Sequence, residues 1–298
     1  MISAEAALVG CRFAFYLGAL FLWGAASVCL LVPGDLQARL WHSLRGPVDV
    51  AIGLVITATL ATLPVRSAAI TGGWGRALDP ATLQLVALQT RIGAAWRYQL
   101  GAALLLLFLA VVSRSRPQCL ATSLTVALAA AFLLAAPVLS GHAALHGGWL
   151  QWVHRANDWL HMLAGGFWFG ALYPVWRLLG HLEERDDRSS AVIGLINFSR
   201  AGHIAVAVII LTGISNTWLI LGGWPSAAAS LYQMLLWVKI ALAALMVGIA
   251  LLNRYRFVPM IGSDARALRC LKCYTILEIT LAIGVMGLVA AFGMLSPA

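Results

Sequence analysis

The sequence predicts an all-α fold, a polytopic membrane helix bundle of eight transmembrane helices, and three observations lead there. Hydrophobic residues make up 61% of the chain and charged residues only 10%. Mean hydropathy is +0.88. Long apolar runs recur from end to end without the alternation of a strand. No soluble domain buries that proportion, and inside lipid each segment must satisfy its own backbone polar groups, which leaves helices for such runs.

The eight runs fall near residues 6–32, 47–64, 94–113, 119–138, 158–176, 201–221, 231–252 and 271–293. The first has no basic segment ahead of it and exceeds a signal-peptide core, so it reads as an uncleaved span. Residues 65–92 form the longest outer connection, within which 80–90 suits a short interfacial helix. The chain divides into a four-helix half, 1–138, and a second four-helix half, 139–298, that carries the chemistry.

Lys and Arg set the orientation. With both termini outside, the inner loops hold Arg39, Arg45, Arg114, Arg116, Arg177, Arg185, Arg188, Arg200, Arg254, Arg256, Arg266, Arg269 and Lys272. The outer side keeps Arg12, Arg66, Arg76, Arg91, Arg97 and Arg155. Thirteen against six favours this arrangement, and the net charge of +9 then reports topology, not nucleic-acid binding.

Four of the seven histidines, His142, His146, His154 and His161, crowd into SGHAALHGGWLQWVHRANDWLHM with Asp158 and Met162, where the fourth span ends and the fifth begins. Ionisable groups at membrane depth are costly, so a cluster of imidazoles with a carboxylate reads as a metal site. His154, Asp158 and His161 lie at i, i+4 and i+7 on one helical face. At about 1.5 Å rise per residue His154 and His161 are roughly 10 Å apart along the axis, too far to share one ion. Asp158 with one of them, completed by His142 or His146 folding over, is the arrangement that fits.

Elsewhere, Lys239 and Glu278 each stand alone about eight residues into an apolar run, which predicts a charge pair between the last two helices. Asn216 is expected to approach the outer cluster and Trp168 to wall it off. His203 belongs near the inner end of its helix, well below His161. His181 sits in a charged inner loop, HLEERDDRSS, and reads with His42 as a solvated residue. No P-loop or phosphorylated-aspartate motif is present, and no enzymatic residues are expected.

These residues resemble the copper resistance protein D (CopD) family of bacterial inner-membrane proteins. The likeness runs through SGHA at 140–143, DWLHMLAGGFWFGAL at 158–172, FSRAG at 198–202, LTGISN at 211–216 and YQMLLWVKIAL at 232–242. Asn253 and Glu278 add to it, and TRIGAAWR at 90–97 matches more loosely; roughly the last two hundred residues are covered. The resemblance implies multi-pass copper handling at the inner membrane, with the outer side periplasmic, and suggests His142, Asp158 and His161 as metal-site residues. His146, His154 and Met162 are added from position alone. It also implies a soluble periplasmic carrier as a source of the copper ion.

Imidazole with carboxylate suits Cu(II) or Zn(II), whereas Cu(I) prefers sulfur. Cys29, Cys119, Cys270 and Cys273 fall at inner ends of spans and Cys11 toward the outside. Cys270-x-x-Cys273 is thereby an inner copper exit in outline. Two other readings fit the same residues: a haem b electron-transfer protein using His161 with His142 or His146, and a copper-sensing membrane protein without transport.

Overall fold

A computed structural model describes residues 2–114, 119–141, 147–225, 230–261 and 265–295. Among these the regular structure is all helical. The long helices are α1 (Ala4–Leu31), α2 (Gly34–Thr71), a short α3 (Pro80–Gln89), α4 (Arg91–Arg114), α5 (Cys119–Leu133), a one-turn α6 (Ala136–Ser140), α7 (Gly148–Gly180), α8 (Arg188–Leu221), α9 (Leu231–Leu252) and α10 (Ala265–Phe292).

Seven helical segments among the described residues are long and apolar enough to cross a membrane, with α5 and α6 counted as one and α9 prolonged to Met260. They correspond to seven of the eight runs expected. The remaining one, α7, has 33 residues. Its length suffices, at about 50 Å from 1.5 Å per residue, but its polar face lowers its hydropathy.

The helices are longer than the apolar runs. Pro47 suggested a helix start, yet α2 begins at Gly34 and passes through both Pro47 and Pro64. Leu36, Leu40 and Leu44, one turn apart, are buried against the core and hold this amphipathic first portion in place. The connection from α1 to α2 therefore shrinks to Val32 and Pro33. The expected interfacial helix is α3, with Pro80 in its first turn and Asp79 capping it through the backbone N–H of Thr82 at 2.9 Å.

The hub is α1. Ala19, Leu22, Ala25, Ala26, Val28 and Cys29 are all completely buried. It packs along α2, α5, α7 and α10. Its approach to α7 is close because the contact is glycine on glycine: a Cβ on Gly24 would stand 2.5 Å from the Gly170 Cα, and one on Gly166 2.7 Å from Leu20 Cδ2. Small residues four apart allow backbones this near in lipid, where packing rather than water expulsion drives association. The indole N–H of Trp23 donates to the Leu163 carbonyl at 2.7 Å and sets the height of the pair. The result is a rigid seat for α7.

On the far side of α7, α8 packs along α7 and α9 packs along α10. A cavity of about 530 Å³ opens among these four helices, bounded by Trp168 and Leu172 of α7, Val206 of α8, Val247 of α9 and Glu278 of α10. Charged contacts gather at the α7–α8 junction: Lys272 with Glu183 at 3.1 Å, and Arg39 with Asp187.

Candidate metal centre

The outer half of α7 supplies the expected face. His154 is fully buried, and its Nε2 lies 3.7 Å from Asp158 Oδ2. One turn further, His161 Nδ1 meets Thr212 Oγ1 of α8 at 2.9 Å. Thr212 has a single hydroxyl proton, and it goes to the Val208 carbonyl at 2.5 Å. Nδ1 then donates to Thr212, with the Ile209 carbonyl a further acceptor beside the ring, and Nε2 is left as the lone-pair nitrogen, the form a metal requires.

Asp158 is held in the same way. Asn157 donates to the Thr212 carbonyl at 3.0 Å and to Asn216 Oδ1 at 2.5 Å. Asn216 thereby presents its amide N–H groups to Asp158, to which it is hydrogen-bonded. Sequence reasoning anticipated Asn216 but missed Asn157 and Thr212. Spacing puts Thr212 and Asn216, four apart on α8, on one face, but it does not say that this face meets α7.

Two residues of α9 complete the surroundings. Lys239 acts electrostatically on both Asp158 and His161 and lies over the Phe292 ring at 5.9 Å. Tyr232 also feels the Asp158 charge and packs edge-on against Phe292. Lys239 thus offsets Asp158 in apolar surroundings. Missing it followed from pairing it elsewhere.

That pairing is corrected. Glu278 accepts from Asn253 at 3.0 Å, and Lys239 sits at the level of Phe292, fourteen residues further along α10. Both charges do stand a few turns from their own helix ends. The helices, however, run about 45 Å, so the two stop about 21 Å apart at 1.5 Å per residue. Met162, placed in the cluster by position, packs against the core built on α1. It is one step around the helix from His161, and that step turns it from α8 toward α1.

The segment with His142 and His146 lies outside the described residues, as does the side chain of Cys119. Among the described residues three metal-capable groups converge within 4.8 Å at His181, Glu184 and Asp187, not in the outer cluster. That inner group is no solvated loop: Asp187 is buried and bonded by Arg39, and His181 Nδ1 lies 3.0 Å from it. It ties α2 to the α7–α8 junction. His203, nine residues below Thr212 on α8, is about 13 Å deeper than His161, and lines the inner cavity with Trp168. Trp168 accordingly walls that cavity. Cys270 and Cys273 are free thiols, half-buried and exposed, and neither lines it.

What the site can do chemically is bind a cation through one carboxylate and one or two neutral imidazoles, N/O donors suited to Cu(II) or Zn(II). Comparison with known proteins shows the family. The copper resistance protein D-like N-terminal domain matches residues 1–152, and the copper resistance protein D family model matches residues 195–292. Copper resistance protein D of Pseudomonas syringae pv. tomato is 31% identical over 97% of this chain and 96% of its own length. Inner membrane protein YebZ of Escherichia coli K12 is 35% identical over 74% of this chain and 73% of its own. Copper transport protein CutJ of Bacillus subtilis 168 is 30% identical over 66% of this chain and 36% of its own. Whole-length similarity of this kind, on a helical membrane bundle with a polar face on α7, makes this chain a member of the copper resistance protein D family.

Proposed function

We propose that the protein takes copper from the periplasm at the α7–α8 cluster and passes it across the inner membrane, by binding and passage without an enzymatic step. Its place is the inner membrane, with several spans, and its role is copper-related. The observation that carries the finer reading is the pair of positioned donors: His161 with Nε2 lone pair free, fixed by Thr212, and Asp158 fixed by Asn216. Copper is the cargo. His142 or His146 brings the third donor, and His154, buried beside Asp158, supports the carboxylate. A soluble periplasmic copper carrier is the proposed source, and Cys270 with Cys273 the proposed thiol exit on the reducing side.

Lys239 gives the cluster a further property. A cation arriving between Asp158 and His161 must displace or repel the ammonium, so entry is charge-compensated rather than additive. The test is copper accumulation in cells that depend on this protein for copper tolerance, together with flux into proteoliposomes. Replacing His161 or Asp158 by Ala should lower both at least tenfold with normal membrane insertion. Unchanged flux in the two variants would overturn the reading. Replacing Cys270 and Cys273 together by Ser should slow release on the inner side, and unchanged accumulation would remove the exit.

A further inference from the structure

We infer that the inner cavity is a second cation site, which holds a hydrated divalent metal ion against Glu278 and Asn253 and does not depend on the outer cluster holding copper. Both residues line the cavity and are more than nine-tenths buried, Glu278 with 4% and Asn253 with 7% of its surface exposed. Asn253 spends its amide on Glu278 Oε2, at 3.0 Å. That leaves Glu278 Oε1 and Asn253 Oδ1, both buried and both without a hydrogen-bond partner. Two neighbouring acceptors with no donor are costly in apolar surroundings, and a cation relieves both at once.

Further donors face the same space. His203, exposed at the cavity edge, donates from Nδ1 to the Ser199 carbonyl at 2.6 Å, so Nε2 carries the lone pair; the Tyr255 hydroxyl reaches it at 3.5 Å and would have to yield to an ion. The buried Thr275 hydroxyl spends its proton on the Leu271 carbonyl and is left as an acceptor. Carboxylate and imidazole nitrogen suit a Cu(II) or Zn(II) ion, and the amide oxygen adds a harder donor beside them. A volume of about 530 Å³ far exceeds a bare ion. It accommodates one with its water shell, at about 30 Å³ per water. Arg188 and Arg254 line the cavity as well, and their positive charge opposes a cation at their walls.

The backbone is also unusual here. From Asn253 to Phe257 the chain adopts a π-helical turn, with the Val258 N–H bonded back to the Asn253 carbonyl. Such turns are rare and recur at functional sites. Its effect is to extend α9 past Leu252 while Asn253 faces α10.

The competing occupant is a proton: a protonated Glu278 donating from Oε1 to Asn253 Oδ1 would also satisfy the pair. Zinc binding separates the two. Full-length protein purified in detergent is dialysed against Zn(II), and bound metal is counted by mass spectrometry in a D158N/H161A background that disables the outer cluster. This background should retain one zinc per chain. Adding E278Q should weaken it at least tenfold, N253A should do likewise, and N253D should preserve it. A background that binds no zinc while wild type binds one overturns the inner site and leaves the outer reading intact. Zinc retained at wild-type affinity in both E278Q and N253A overturns it too, and assigns the pair to a proton. One equivalent in wild type, unaffected by D158N/H161A and lost in E278Q, would uphold the inner site and sink the outer one. If E278Q fails to insert, N253A and H203A decide, since neither removes the carboxylate.

Discussion

Thr212 bonds no metal-donor atom: its hydroxyl meets His161 Nδ1, and by accepting that N–H it leaves Nε2 as the bare nitrogen of the ring. Replacing it by Val removes the acceptor and lets the ring rotate or change tautomer. Outer-ligand changes of this kind cost about 10–100-fold in metal affinity. Thr212→Val should therefore weaken copper binding by at least tenfold, and Thr212→Ser, which keeps the hydroxyl, should restore most of it. Equal affinities by competition titration would show that His161 is oriented some other way. The residue pattern made part of this visible beforehand. His154, Asp158 and His161 share a face because 3.6 residues per turn places them there, whatever they pack against. Thr212 and Lys239 were not legible as members, because membership depends on which helix lies opposite α7, and no local spacing encodes that. Glu278 was mispaired for a related reason: depth was counted from the ends of apolar runs, and the helices continue beyond them.

Among the elements, the α1–α7 seam is the least tolerant. A Cβ at Gly170 would meet the Leu20 carbonyl oxygen at 2.3 Å, whereas one at Gly165 meets nothing within 4 Å. Gly170→Ala should destabilise the protein by about 1–3 kcal/mol, the usual cost of overpacking, and Gly165→Ala should be close to neutral. Thermal unfolding in detergent checks this, and equal midpoints would mean the seam relaxes freely. Prolines taken as helix boundaries misled the reading of α2, since neighbouring helices can support a chain that Pro interrupts. The cap of α3 was easier, as Asp79-Pro80 is a local signal. Asp79 accepts from both the hydroxyl and the N–H of Thr82, and these bonds hold its carboxyl below the usual carboxylate range. A depressed folded-state value means the cap contributes above the unfolded pKa, about 3.9, and is lost as pH falls through the lower folded value. Amides of 82–87 should keep their hydrogen-exchange protection from pH 7 to 5, after correction for intrinsic rates, and lose it below about pH 4. Asp79→Asn should abolish that pH dependence.

For the whole molecule the parity of the topology depends on α7, the one long helix outside the seven apolar spans among the described residues, crossing the bilayer. Packing favours the crossing. Gly24 of α1 lies beside Gly170 of α7, and eight residues further on along each helix Val32 and Leu178 meet at the same place, against Gly194 of α8. The two helices therefore run parallel in constant register. Since α1 qualifies as a span and α7 accompanies it, α7 is expected to pass through the same thickness in the same direction. Charge agrees: a crossing α7 keeps Arg177, Arg185 and Arg188 on the side that holds Arg254, Arg256 and Lys272. Its polar face is tolerated because it looks onto α8 and α9, not lipid. Single cysteines at Trp149 and Glu184, both exposed, test this in a background with the five native cysteines replaced by serine. In intact cells with a permeable outer membrane, an impermeant maleimide should label position 149 and spare 184 until the inner membrane is opened. Labelling of both from outside would mean that α7 turns back and that the termini lie on opposite faces; labelling of 184 with 149 spared would put the α7–α8 cluster on the inner side and sink it as a periplasmic entrance.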